Sequence, residues 1–262
     1  MRENRLRRLF QEGKPALGGW LTVPSSFSAE IFAHAGFDWL CVDMQHGLID
    51  YQTAVTMLQA TSTTETAPIV RVPWNEPGII MKSLDAGAYG VIVPLVNSRA
   101  EAGAAVAACR YPPRGVRSYG PIRAAYYAGR DYFAHADETV LCIVMIETKE
   151  AVERLDDILS VPGIDAAYIG PADLSVSLGL SPASDHEEAL FTDAIERVVE
   201  ACRRHNVVPG VHAGNVVTAR KRIEQGFLFV EMCDDAGALA RTSVGDLKAL
   251  RGRRDEAAPD VA

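Results

Sequence analysis

Short apolar runs rich in β-branched and aromatic residues recur along the whole chain, separated by segments with helical spacing. A run such as LCIVMI at 141–146 is apolar on both faces, which indicates a strand buried on both sides in a parallel sheet. We predict eight strands, at 16–22, 38–43, 68–72, 90–94, 140–147, 166–170, 207–212 and 227–232. Eight strand–helix units in 262 residues predict a single-domain α/β fold, a (β/α)8 TIM barrel. A doubly wound open sheet is the alternative.

The two ends of the chain differ from this pattern. Leu6, Leu9 and Phe10 fall at helical spacing within a basic segment, which predicts a short N-terminal helix that closes one end of the domain. The stretch 252–262 is polar and carries a proline, so we expect a disordered tail. The barrel domain is therefore predicted to span 1–251.

One longer segment, 185–205, shows the helical pattern clearly. Asp185 and Glu188 have the spacing of an N-terminal capping box. Four apolar residues repeat every fourth position and are predicted to share the buried face: Leu190, Ala194, Val198 and Cys202.

Composition narrows the possible partners. A net charge of −8 and a pI near 5.3 argue against a nucleic-acid groove or an anionic membrane surface, so small solutes are the expected ligands. No apolar run approaches the roughly 18 residues that a membrane span needs. The five cysteines are widely spaced and form no C-x-x-C pair, which is typical of reduced thiols in a cytoplasmic protein.

A barrel collects its chemistry at the C-terminal ends of its strands, and ionisable residues follow several of the predicted strands. Glu147 and Asp173 follow adjacent strands, and two carboxylates so close are stable when they share a proton or a cation. Without a Cys or His cluster, oxygen ligands indicate Mg²⁺ or Mn²⁺, which can chelate a 2-oxo acid. The alternative is that both residues are helix N-caps.

Arg71 and His46 lie at the same predicted mouth. The forked guanidinium of Arg71 suits a carboxylate or a developing enolate oxygen, although a structural salt bridge to Glu147 or Asp43 is the alternative. His46 is a candidate for proton transfer, because histidine is the side chain best suited to acid–base chemistry at physiological pH, and Asp43 or Asp85 is a candidate to fix its tautomer. A structural loop histidine is the alternative.

The stretch GPADLS at 170–175 follows the sixth strand. Its backbone N–H groups from Ala172 onward are placed to open a helix and to meet an anion such as a substrate carboxylate. An ordinary strand-to-helix turn is the alternative.

A set of motifs then extends from about residue 15 to 235: Trp20, GFDWLCVDMQHG, RVPW, LDAGAYGVIVPLV, YPPRGVRS, MIETKEA and IGPADLS. Together they resemble the HpcH/HpaI aldolase family of metal-dependent class II pyruvate aldolases. The resemblance implies a (β/α)8 barrel, a divalent cation (Mg²⁺, Mn²⁺ or Co²⁺), no organic cofactor, and reversible cleavage of a 4-hydroxy-2-oxo acid into pyruvate and an aldehyde. It also implies a homo-hexamer, a trimer of dimers that exchange the last helix.

The resemblance assigns roles position by position. Glu147 and Asp173 match the metal ligands, Arg71 the arginine that stabilises the enolate, and His46 the proton-transfer histidine. Further carried-over catalytic and substrate-binding positions are Asp43, Asp85, Trp20, Gly170, Ala172 and Asp173. Among these, Asp85 matches a position that reaches the site of a neighbouring subunit. Our own assignment adds His212, after strand seven, as a contact for the far end of the aldehyde, with a structural role as the alternative.

Two positions depart from the pattern of these relatives. Gln45 stands where they usually have glutamate, and Met145 where they have glutamine. Neither change removes a ligand or base, and Met145 is expected to alter hydrogen bonding beside the bound oxo acid.

The sequence is also compatible with other activities. Related barrels cleave CoA thioesters or decarboxylate oxaloacetate, and a catalytically silent barrel that binds an oxo acid is an alternative of another class. A Schiff-base aldolase needs a lysine at a strand end. The lysines fall instead on helical or terminal segments: Lys14, Lys82, Lys149, Lys221 and Lys248.

Overall fold

The computed structural model describes residues 1–251, and eight parallel strands close into a barrel within them. The strands are β1 Ala16–Leu21, β2 Trp39–Asp43, β3 Ala67–Arg71, β4 Gly90–Val93, β5 Leu141–Ile146, β6 Ala166–Ile169, β7 Val208–His212 and β8 Phe229–Asp234. Each strand pairs with the next in sequence, and β8 pairs with β1. All eight strands predicted from the sequence are present, and the closure excludes the open sheet.

Helices follow the strands in the alternation that a parallel barrel requires. They are α1 Arg5–Gln11, α2 Ser26–His34, α3 Tyr51–Thr61, α4 Pro77–Asp85, α5 Arg99–Cys109, α6 Ile122–Ala128, α7 Tyr132–Thr139, α8 Lys149–Glu153, α9 Leu155–Leu159, α10 Pro171–Ser177, α11 Ala189–His205, α12 Val216–Glu224 and α13 Asp235–Arg251. None of these helices has the length and apolar character that a membrane crossing needs.

Two apolar clusters stabilise the barrel, one outside the ring of strands and one inside it. The larger lies between the strands and the surrounding helices, and the smaller fills the barrel interior. Large rings dominate the interior, where Trp39 stacks on Phe229 at 3.9 Å between centroids and Trp20 stacks on Tyr168 at 5.7 Å. Gly18 lies against the Trp39 ring so closely that a Cβ at this position would clash with it. The interior is therefore a packed core that leaves only the mouth for chemistry.

The N-terminal helix closes the barrel as predicted. Leu6 of α1 is fully buried in the interior cluster, and Phe10 meets Phe229 edge-on at 5.9 Å. The predicted tail, 252–262, lies outside the described residues, so the division into a domain and a tail stays a prediction.

The predicted start of the long helix was wrong. Helix α11 begins at Ala189, and Glu188 caps it without a side-chain hydrogen bond. Asp185 instead accepts hydrogen bonds from Lys221 and Arg222 of α12, because these cations offer the carboxylate a stronger partner than backbone N–H groups. Ala194, Val198 and Cys202 are buried as predicted, but Leu190 in the first turn is exposed.

Candidate active site

The polar residues that follow the strands do gather at one mouth of the barrel. Trp20, Asp43 and Arg71 lie at the ends of β1, β2 and β3, and His212 ends β7. Glu147 comes directly after β5. Asp173 lies in the first turn of α10, the helix that follows β6.

Arg71 and Asp43 form a forked ion pair at this mouth. Arg71 Nε donates to Asp43 Oδ1 at 2.8 Å, and Nη2 donates to Oδ2 at 2.5 Å. Trp20 Nε1 donates to the same carboxylate at 3.2 Å, and its ring lies 4.9 Å from the guanidinium carbon. Of the two salt bridges left open by the sequence, the one with Asp43 is therefore present. This ion pair fixes the orientation of the Arg71 guanidinium.

Burial and pairing act in opposite directions on this pair. Burial alone would raise the pKa of Asp43, but the hydrogen bonds and charge of Arg71 outweigh it and hold the pKa below its usual value. Burial likewise opposes the charge on Arg71, and Asp43 reverses this, so that the pKa of Arg71 is raised. Both groups stay ionised, and Arg71 remains a fixed cation at the mouth.

Glu147 is a buried carboxyl with its own constraints. It is 2% exposed, and its Oε1 accepts the Leu95 N–H at 2.7 Å. Burial, with a smaller contribution from the charge of Asp173, raises the pKa of Glu147 to about 7. Nothing in the sequence pattern points to Leu95, whose φ of +53° is rare for a bulky residue and whose N–H donates to Glu147.

Gly170 leaves room beside Glu147. A Cβ at this position would lie 2.5 Å from Glu147 Oε2 and 2.9 Å from Met145 Cε. Met145 is buried in the barrel interior, so the departure from glutamine places a thioether rather than an amide beside this carboxylate.

Neither carboxylate is a helix N-cap, which removes that alternative. Thr148 caps α8 with its side chain, and Gly170 precedes α10. No side chain caps α10, so its first N–H groups at Ala172 and Asp173 are not satisfied in this way.

The donor set suits a hard divalent cation. Glu147 and Asp173 offer carboxylate oxygens, and the carboxylate of Glu147 is buried beside Gly170. Within residues 1–251 no group of three or more His, Cys, Asp or Glu side chains converges on a metal position. Two protein ligands fit Mg²⁺ or Mn²⁺, which retain water or bind substrate at their remaining positions.

Two predicted site residues lie apart from this arrangement. The side chain of His46 is exposed, and within the described chain only its backbone N–H reaches Asp43, at 3.4 Å. Asp85 ends α4, at the barrel end opposite the mouth, and accepts from Arg117 Nη2 at 2.7 Å. Neither Asp43 nor Asp85 therefore holds the imidazole within one chain.

His212 has an ionisable neighbour, Glu231, that was not among the predicted site residues. Its Nδ1 lies 3.5 Å from Oε2 of Glu231, a fully buried residue of β8. Glu231 interrupts the apolar run FLFVEM, and a charge inside such a run is the signal that identifies it.

The family model described as HpcH/HpaI aldolase/citrate lyase matches residues 17–241. The chain belongs to this family. The match covers the barrel from β1 into α13, so every residue of the mouth described above lies inside it.

Relatives within the HpcH/HpaI family are similar over nearly the whole chain. A hydroxypyruvate/pyruvate aldolase of Rhizorhabdus wittichii is 44% identical over 94% of this chain and all of its own length. A 4-hydroxy-2-oxo-heptane-1,7-dioate aldolase of Escherichia coli is 39% identical, with 92% of each chain covered. A crystal structure of a family protein from Burkholderia cenocepacia superposes with a TM-score of 0.88 at 33% identity, covering 95% of this chain and 99% of its own.

Proposed function

We propose that this family member is a class II aldolase that reversibly cleaves a 4-hydroxy-2-oxo acid into pyruvate, or a close 2-oxo acid, and an aldehyde. The observation that most supports this proposal is that the carboxylates Glu147 and Asp173 lie at the same mouth of the barrel as a fixed cation, Arg71. The names of the two curated relatives, a hydroxypyruvate/pyruvate aldolase and a heptanedioate aldolase, support the same reaction.

Glu147 and Asp173 would hold a divalent cation, Mg²⁺, Mn²⁺ or Co²⁺. When bound, this ion supplies Lewis-acid polarisation of a 2-oxo acid. Glu147 binds in its ionised form. The raised pKa of about 7 therefore means that binding at lower pH displaces a proton from it.

The remaining mouth residues bind and orient the 2-oxo acid. The unpaired backbone N–H groups at Ala172 and Asp173 suit its carboxylate, as the family resemblance implies. Nε and Nη2 of Arg71 donate to Asp43. Its Nη1 therefore remains available to donate to the C2 oxygen, where negative charge develops. Asp43 thus acts by positioning Arg71.

Proton transfer is assigned to His46. In condensation it takes a proton from the methyl group of pyruvate and gives one to the aldehyde oxygen, and in cleavage it deprotonates the C4 hydroxyl. His46 is an exposed residue of the loop after β2, three positions after Asp43 at the mouth. Asp85, by the family resemblance, completes the site of a neighbouring subunit.

A Schiff-base route would need a desolvated lysine near the C2 carbon. Lys82, Lys221 and Lys248 lie on helices, Lys14 precedes β1, and Lys149 is an exposed residue at the start of α8. None of them lies on a barrel strand.

The two aldolase classes are separated by treating the enzyme in two ways and measuring pyruvate release from a 4-hydroxy-2-oxo acid. We expect EDTA to abolish turnover and Mn²⁺ or Mg²⁺ to restore it. Borohydride added with pyruvate should leave the enzyme active. Inactivation by borohydride together with resistance to EDTA would refute the metal-dependent mechanism.

A further inference from the structure

Glu231 is a carboxylate inside the apolar interior of the barrel. It is fully buried and pairs in register with His212 on β7 and with Gly18 on β1. Two residues earlier on the same strand, Phe229 points into the interior cluster. A carboxylate at such a depth is unfavourable unless specific partners hold it.

The partners of Glu231 all lie toward the mouth. Its Oε2 accepts the Gly214 N–H at 2.8 Å and lies 3.5 Å from His212 Nδ1, while Oε1 has no hydrogen bond. Within the described residues, His212 is its only ion-pair partner. The carboxylate is therefore aimed at the imidazole.

His212 in turn faces the substrate region. Its side chain is 34% exposed, and its ring meets Trp20 edge-on at 5.0 Å. Trp20 also donates to Asp43, so His212 stands beside the Arg71–Asp43 pair. An acceptor at Nδ1 favours the tautomer with its proton there and leaves Nε2 for a ligand. Within the described residues, Nε2 makes no hydrogen bond and is not buried, so it is accessible to a ligand.

We propose that Glu231 is a positioning residue that holds the His212 imidazole so that Nε2 hydrogen-bonds a hydroxyl group of the acceptor aldehyde. The proposal rests on the proposed function and concerns its aldehyde half. A hydroxyl can donate to neutral Nε2 or accept from the protonated ring, so the contact persists in either state. An alkyl group of the same size makes no such bond, and the chain therefore favours hydroxyaldehydes.

Glu231→Gln tests the role with little change in volume. One oxygen of Glu231, Oε2, both accepts the Gly214 N–H and faces His212 Nδ1. The amide either keeps its oxygen in that place without the negative charge, or turns its NH₂ there and presents a donor to Nδ1. In both orientations the charged partner that holds the imidazole is lost while the packing is kept.

The assay is condensation with pyruvate, comparing glycolaldehyde with propanal, which carries a methyl group in place of the hydroxyl. We expect the ratio of their kcat/KM values to fall roughly tenfold in Glu231→Gln and in His212→Ala, the scale of one hydrogen bond. The KM for glycolaldehyde should rise while that for pyruvate stays. In the double variant the ratio should fall no further, because Glu231 acts through His212. Glu224→Gln, the same change at an exposed glutamate of α12, is the matched control.

An unchanged ratio in Glu231→Gln, or an equal further drop in the His212→Ala background, would overturn the positioning role. If Glu231→Gln does not fold, Glu231→Asp withdraws the carboxylate by one methylene and gives the same comparison. Exchange of the pyruvate methyl hydrogens with solvent needs no aldehyde. Its absence in the unmodified enzyme overturns the proposed function and this inference with it, whereas exchange with unchanged ratios overturns this inference alone.

Discussion

Gly170 is a position where a single methyl group would reach the proposed metal ligand. A Cβ there would lie 2.5 Å from Glu147 Oε2, and its φ of −93° is open to any residue, so the obstacle is steric. We expect Gly170→Ala to displace the carboxylate and to weaken Mn²⁺ binding on the order of 10- to 100-fold, measured by titration calorimetry.

Gly103→Ala is the control for this substitution. Gly103 lies within α5, and a Cβ there meets no atom within 4 Å. Alanine is favoured over glycine in a helix by up to about 1 kcal/mol, so this variant should keep its Mn²⁺ affinity and its fold. Equal affinity in both variants would show that Gly170 gives no clearance to the metal site.

The pKa of Glu147 makes stability depend on pH. In the folded protein this pKa is about 7, against an ordinary value of 4.5. Between these values the unfolded chain has lost the proton that the folded chain keeps, so the free energy of unfolding falls as pH rises and levels off above about 7. At about 1.4 kcal/mol per unit, the loss is on the order of 3 kcal/mol.

Glu147→Gln removes this ionisation. In EDTA, we expect the variant to gain in Tm relative to the unmodified protein as pH rises from 5 to 8, by roughly 5–10 °C. Glu224→Gln should show no such trend. Parallel Tm profiles for Glu147→Gln and the unmodified protein would contradict a desolvated carboxyl at this position.

At the scale of elements, Asp235 ties the start of α13 to the first strand–helix loop. Its carboxylate is 1% exposed and accepts from Thr22 N at 2.9 Å, from Thr22 Oγ1 at 3.0 Å and from Ser28 Oγ at 2.9 Å. Removing it leaves several partly buried donors without an acceptor, at a cost of about 2–4 kcal/mol.

We therefore expect Asp235→Ala to lower Tm by roughly 5–10 °C in a thermal unfolding scan. Asp246→Ala, at an exposed position of the same helix, is the control and should leave Tm within about 2 °C. An equal decrease in Tm in both variants would contradict the role of Asp235, because it would show that any alanine substitution in α13 has this effect.

The elements themselves were largely predictable from the sequence. Most strands are apolar on both faces, and some end abruptly at a polar residue, as β5 does at Glu147, so local pattern sufficed to place all eight. The predicted strand ends also located residues that lie at the mouth, while the roles of these residues stay predictions that rest on the family resemblance. Local pattern failed at Asp185, whose cationic partners on α12 come from a distant part of the chain.

Side-chain partners across the barrel were not predictable in the same way. The choice of Asp43 over Glu147 as the partner of Arg71 depends on the register of β2 and β3, in which positions 43 and 71 are opposite. The pairing of His212 with Glu231 depends likewise on the register of β7 and β8. Register is fixed by closure of the whole barrel and leaves no local trace in the sequence.

At the scale of the whole molecule, the hexamer and the exchange of α13 stay predictions. Two features favour assembly. Among the described residues, helix α13 buries only Asp235. Several large apolar side chains are also exposed on one segment: Val116, Tyr119, Ile122, Tyr126 and Phe133. Exposed apolar side chains that are close in the chain mark a candidate interface.

Asp85 gives assembly a catalytic consequence. If it serves a neighbouring subunit, Asp85→Ala and His46→Ala each inactivate the homo-oligomer, but a co-expressed mixture contains sites that have both native residues. We expect the mixture to regain part of the unmodified rate of pyruvate release. If the mixture is as inactive as each variant alone, His46 and Asp85 of different subunits do not form a shared site.

The central claim is that Glu147 and Asp173, with Arg71 opposite, stabilise the enolate of pyruvate. Deuterium incorporation into the methyl group of pyruvate, followed by NMR in D₂O without any aldehyde, measures this step directly. We expect exchange with Mn²⁺ or Mg²⁺ present, loss of exchange in EDTA, and loss of exchange in Glu147→Gln at saturating pyruvate. Exchange that continues at the same rate in EDTA and in Glu147→Gln would contradict it.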